Sequence, residues 1–169
     1  MVPGKPIFLL KWPGLNPSLP SVLLNCHADV VPVDASKWSV DPFAATQLSN
    51  GDILARGSQD MKSVGIGYLE AIRALKQSLK KTLDRTMIVS FVPDEEVGGH
   101  TGMERWVLTD HFKALHVGLV LDEGLPNPGN AYTVFYGERA PWWMEITTTG
   151  KAGHGSQFIE PNATLKLVN

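Results

Sequence analysis

Runs of apolar residues bounded by turn formers recur at Pro6–Lys11, Ser21–Asn25, Met87–Val92, Val117–Leu121 and Tyr132–Tyr136. Such runs read as strands, several of them continuous enough to be buried on both faces. Between them the period lengthens. From Met61 to about Leu79, the side chains of Val64, Tyr68, Ile72, Leu75 and Leu79 fall on one face at three-to-four spacing, the pattern of an amphipathic helix. A shorter helical pattern covers about Gly102–Leu108. Strands alternating with helices predict an α/β domain, with a largely parallel sheet flanked by helices.

The pattern changes at Arg139-Ala140-Pro141. From Trp142 the segment WWMEITTTGKAGHGS predicts a new strand followed by a Gly-rich turn, and Glu160–Val168 begins a helix. We therefore expect one domain over residues 1–140 and the opening of a second over 141–169. A strand and part of a helix are too little to form a stable unit alone, so the chain reads as truncated at both ends.

Composition narrows the class of partner. The 169 residues are 43% hydrophobic, enough for one domain-sized core. Fifteen basic against seventeen acidic residues give a net charge of −2, which recommends neither nucleic acid nor an acidic membrane and leaves a small molecule as the expected partner. No apolar stretch approaches the length of a membrane span. The opening MVPGKPIFLLKWPG is broken by Pro13 and Gly14 too early for a signal peptide, and the single cysteine, Cys26, excludes an internal disulfide. These features predict a reducing, cytoplasmic setting, in which the acceptor pattern Asn162-Ala163-Thr164 is a chance occurrence.

In open α/β sheets ligands bind beyond the carboxyl ends of the strands, and three apolar runs end in metal-binding residue types. Val22-Leu23-Leu24 leads to Asn25-Cys26-His27-Ala28-Asp29, Ile88–Val92 to Pro93-Asp94-Glu95-Glu96, and Val117–Leu121 to Asp122-Glu123. Asp60 enters the same region where a loop meets the long helix. That many carboxylates with a histidine at one rim would repel one another unless a cation neutralised them. The imidazole favours zinc over calcium or magnesium, with cobalt or manganese as substitutes. In the His27-x-Asp29 spacing, a carboxylate is placed to orient a metal-bound ring.

Each element has a plainer reading. His27 could be an ordinary hydrogen-bonded strand-end histidine, Glu95 and Glu96 solvated loop acids, Asp60 a helix N-cap, and Asp29 and Asp122 turn residues. His100, His111 and His116 read as surface residues, Cys26 as a core residue, and Trp142 and Trp143 as packing residues.

The order and wording of LLNCHADVVPV, WSVDPF, ARGSQDMK, FVPDEEVGGHTGME, LDEG, TVFYGERAPWW and GHGSQF resemble the zinc-dependent aminoacylase and carboxypeptidase family over nearly the whole chain. The resemblance implies a zinc-exopeptidase-like fold with two zinc ions per complete active site, residues 1–140 being a partial zinc-binding catalytic domain and 141–169 the start of a small α+β dimerisation or lid domain. It assigns His27 and Glu123 to one zinc, Asp60 as the bridge, and Glu96 to the second zinc. Asp29 would orient His27 and Glu95 would act as general base, while His154 would reach the active site across a homodimer to polarise the scissile carbonyl. The implied reaction is hydrolysis of an N-acyl L-amino acid to a carboxylate and the free amino acid, with a dipeptidase or desuccinylase as alternatives within the family. The family's last ligand to the second zinc, a histidine, and its arginine clamp for the substrate carboxylate have no counterpart in these residues. Activity is therefore expected of the complete protein, the alternative being a non-catalytic product that keeps a zinc half-site and acts by binding.

Overall fold

A computed structural model describes residues 2–79, 82–125, 127–137, 139–140 and 142–168. Contact density separates Met1–Asn130 from Ala131–Asn169.

In the first unit the strands are β1 (Phe8–Trp12), β2 (Ser21–His27), β3 (Thr46–Gln47), β4 (Ile53–Leu54), β5 (Met87–Val92) and β6 (Val117–Leu121). The helices are α1 (Ser63–Ser78), α2 (Met103–Trp106) and α3 (Asp110–Lys113). The main sheet runs β1-β5-β2-β6. β2 pairs parallel with both β5 and β6, and β1 closes the other edge antiparallel to β5. The expected parallel sheet is thus present with one antiparallel edge, and β3 and β4 form a separate hairpin that the apolar pattern did not announce.

The two central strands carry the core. Leu23, Ile88, Val89 and Val92 are buried, as are Met61 ahead of α1 and Trp106 on α2. Trp106 meets Phe112 of α3 edge to face, with ring centroids 4.8 Å apart. Burial on both faces is confined to β2 and β5; on the edges, Phe8 and Leu10 of β1 and Leu119, Val120 and Leu121 of β6 are exposed.

The helix expected from Met61 begins at Ser63, because Ser58–Lys62 forms a wider π-type turn in which Asp60 and Met61 have non-helical backbone angles. Val64, Tyr68, Ile72 and Leu75 lie half-buried on the face turned inward, while Ile66 is exposed. Close approach to the sheet requires Gly65, where a Cβ would come within 2.8 Å of Cys26 Sγ and 3.0 Å of Phe91 Cε1. The pattern over Gly102–Leu108 gives only the single turn of α2.

In the second unit, α4 (Ala163–Val168) is the only helix among the described residues, and none of them forms a strand. The strands expected at Tyr132–Tyr136 and from Trp142 are therefore absent. Neither segment pairs with a strand among the described residues, and side-chain alternation without a ladder does not make a strand. Tyr132, Tyr136, Trp142, Trp143 and Phe158 are nearly fully exposed, so the packing role expected of the two tryptophans is not fulfilled.

Candidate metal centre

His27 is the last residue of β2 and is 1% exposed. Its Nδ1 lies 2.9 Å from the backbone carbonyl oxygen of Asp29. Its Nε2 faces a half-circle of acids, 2.9 Å from Asp60 Oδ1, 3.6 Å from Glu123 Oε1 and 3.8 Å from Glu95 Oε2. A carbonyl oxygen can only accept, so Nδ1 carries a proton, and in the neutral ring Nε2 then presents a lone pair to the Asp60 carboxylate. Two lone pairs at 2.9 Å are tolerable only with a proton or a cation between them.

The protonation balance reflects the same crowding. Burial alone would lower the pKa of His27, but the Asp60 hydrogen bond and the charge of Glu123 outweigh it and hold the imidazole above its ordinary value. Glu123 is pushed up to about 7 by burial and by the charge of Asp60. Burial likewise raises Glu95 against the lowering charge of His27, with the charges of Glu96, Asp29 and Asp60 adding to the rise. Among the described residues, His27, Asp60 and Glu123 offer ligand atoms that all lie within 4.8 Å of one another. One imidazole nitrogen and two carboxylates suit a borderline divalent cation such as zinc, so the residues present fit a metal ion.

Asp29 divides its work differently from the sequence expectation. Its carbonyl, rather than its carboxylate at 3.5 Å, makes the closer contact to His27. The carboxylate instead accepts the backbone N–H groups of Glu95 and Glu96, each at 3.1 Å, and so holds the turn Glu95–Val97 against the end of β2. Glu96 is half-buried on that turn and lies outside the three-residue group. Asp60 does not cap α1; its carboxylate goes to the histidine. His154 belongs to the second unit, where its exposed ring lies 2.8 Å from Ser156 Oγ. His100, His111 and His116 are exposed and Cys26 is buried, as the sequence suggested.

Asp94 is the residue whose part was not legible. It sits in left-handed backbone at φ 56°, 3% exposed, and accepts hydrogen bonds from the N–H and hydroxyl of Thr101 at 2.8 and 2.5 Å. Burial would raise its carboxyl, but the Thr101 bonds outweigh this and hold it below the usual range. It ties down the loop that carries Glu95, and no spacing in the sequence distinguishes such a buried clamp from a solvated acid.

The sequence model of the family described as peptidase family M20/M25/M40 matches residues 23–163. The chain belongs to this family. It is 59% identical over 167 residues to aminoacylase-1 of Mus musculus and 54% identical to that of Homo sapiens, in each case over 99% of this chain and 41% of the relative. The M20 family metallo-carboxypeptidase Sso-CP2 from Sulfolobus solfataricus superposes with a TM-score of 0.60 at 29% identity, over 71% of this chain and 26% of that one. The chain thus spans about two fifths of the length of these curated relatives. The α/β architecture and the amidohydrolase relationship stand on these matches, and family membership implies a metal cofactor. No helix among the described residues is long and apolar enough to cross a membrane.

Proposed function

We propose that this chain is the metal-binding portion of a two-zinc amidohydrolase that cleaves N-acyl L-amino acids to a carboxylate and a free L-amino acid. The observation that carries the reading is the imidazole of His27 at the end of β2, whose Nε2 faces Glu95 and Glu123 from beyond the two strands parallel to β2 and Asp60 from the turn ahead of α1. The aminoacylase-1 relatives supply the substrate class.

His27 and Glu123 would hold one zinc, Asp60 would be shared with the second, and Glu96 would hold the second. Zinc, when bound, polarises the scissile carbonyl and lowers the pKa of water. Glu95, kept free of that set, takes a proton from the attacking water and returns it to the leaving amine. Its pKa, raised by burial, suits a group that must first accept and then release a proton. Asp29 positions the turn that presents Glu95. His154 is assigned to the carbonyl oxygen from a partner subunit in a homodimer, and the single buried thiol is in keeping with the cytoplasm. The complete protein carries the activity; the 169-residue chain by itself is read as a zinc half-site.

Two measurements test this. The chain should bind Zn2+ by elemental analysis and lose it in His27→Ala. In the protein of family length, Glu95→Gln should lower hydrolysis of N-acetyl-L-methionine by roughly 10²-fold or more while leaving its zinc content intact. Unchanged zinc in His27→Ala, or unimpaired turnover in Glu95→Gln, would overturn the assignment.

A further inference from the structure

Two polar side chains sit in the most buried part of the sheet without belonging to the metal centre. Asn25 of β2 is 4% exposed and Ser90 of β5 is 0% exposed, and they are direct cross-strand partners. Asparagine is disfavoured in strands, and a buried amide is costly unless its groups are paired.

Here they are paired in one direction. Asn25 Nδ2 donates to Asp122 Oδ2 at 2.9 Å, just past the end of β6, and the Ser90 hydroxyl donates to Asn25 Oδ1 at 2.7 Å. A carboxylate only accepts, so the amide must turn its NH2 toward Asp122 and its oxygen toward Ser90, which fixes the hydroxyl as donor. The other oxygen of Asp122 accepts the backbone N–H of Glu123 at 3.0 Å, and the Asp122 carbonyl accepts the Tyr68 hydroxyl at 3.2 Å. This polar rung crosses the three strands whose ends deliver Glu95, His27 and Glu123, two residues before His27 on β2.

Glu123 needs such support. It follows an edge strand with exposed side chains, lies in backbone without regular structure, is 35% exposed, and faces the like charge of Asp60. Packing does not hold it. We infer that Asn25 and Ser90 are positioning residues for the metal centre, acting through Asp122 to fix the backbone from which Glu123 reaches the cation. The inference rests on the metal-site reading above.

The test uses the 169-residue chain, with Zn2+ affinity measured against a chromogenic chelator, the visible bands of bound Co2+, and thermal melting without metal. Ser90→Ala and Asn25→Asp should each weaken Zn2+ binding about tenfold or more and alter the Co2+ bands. The swapped pair N25D/D122N, which reverses donor and acceptor, should regain the parent spectrum and most of the lost affinity. Parent-like affinity and Co2+ bands in both single variants would overturn the inference, as would a swapped pair weaker than either. Should Asn25→Asp fail to melt cooperatively, Ser90→Ala decides, since it removes a single hydroxyl. A parent chain that binds neither Zn2+ nor Co2+ would bring down the metal-site reading itself, a result distinct from intact binding that ignores the rung.

Discussion

Val117–Leu121 and Tyr132–Tyr136 carry the same kind of apolar run, and both leave most of their side chains in water, yet only the first is a strand. The difference is the neighbour. β6 lies beside β2, and its backbone groups enter a ladder from Ser21↔Val117 to Leu24↔Leu121. The later segment pairs with no strand among the described residues. Strand formation in this chain therefore follows the ladder, and side-chain pattern is only a condition for joining one.

The largest effect that could break this comparison is a truncation in the sheet core set against one outside it. Ile88→Ala, at a fully buried position, should cost about 2–5 kcal/mol in denaturant unfolding. Trp142→Ala, at 84% exposure, should stay within about 0.5 kcal/mol. Similar losses at both sites would mean that the second unit contributes to the cooperative core.

A smaller effect is expected at the seam between helix and sheet. Gly65→Ala pushes a methyl group against Cys26 and Phe91 and should cost roughly 1–3 kcal/mol by overpacking, whereas the exposed Gly67 has nothing within 4 Å and should gain slightly from alanine. A neutral Gly65→Ala would show that α1 rides more loosely on β2 than the contacts indicate.

The smallest effect is a pH slope confined to the metal centre. Glu123, Glu95 and His27 all have folded-state pKa values above their ordinary ones, so the folded chain holds more protons than the unfolded chain. Their contribution to stability is present at lower pH and is lost as pH rises through the folded values, about 7 for Glu123. The metal-free chain should thus melt at a lower temperature at about pH 8 than at about pH 5.5, and saturating Zn2+ should restore stability at the higher pH. A metal-free midpoint that rises over this range would contradict the crowding of acids around His27.

Much of the first unit was legible because its signals are local. Met87–Val92 and Val117–Leu121 coincide with observed strands, and the residues just past the strands were recognisable as a rim. What escaped depends on distance in space. The antiparallel placing of β1 and the β3–β4 hairpin depend on which strands meet. The delayed start of α1 frees Asp60 for His27, a contact 33 residues away that capping preferences do not contain. Asp29 was expected to act through its carboxylate, but the carbonyl holds the ring and the carboxylate holds the Glu95 turn. The absent strands of the second unit fail for the reason already given: alternation was present, but no strand among the described residues pairs with it.

Cys26 is the chain's sole thiol, and it is sealed between β2 and α1, with Sγ 3.7 Å from the Met61 carbonyl. Burial raises its pKa, so the thiol stays protonated and unreactive while the seam is closed. A labelling reagent can meet this sulfur only when the helix lifts from the sheet. The fold therefore contains its own stopwatch: the rate at which Cys26 is modified reports how often the seam beside the metal-binding rim comes open.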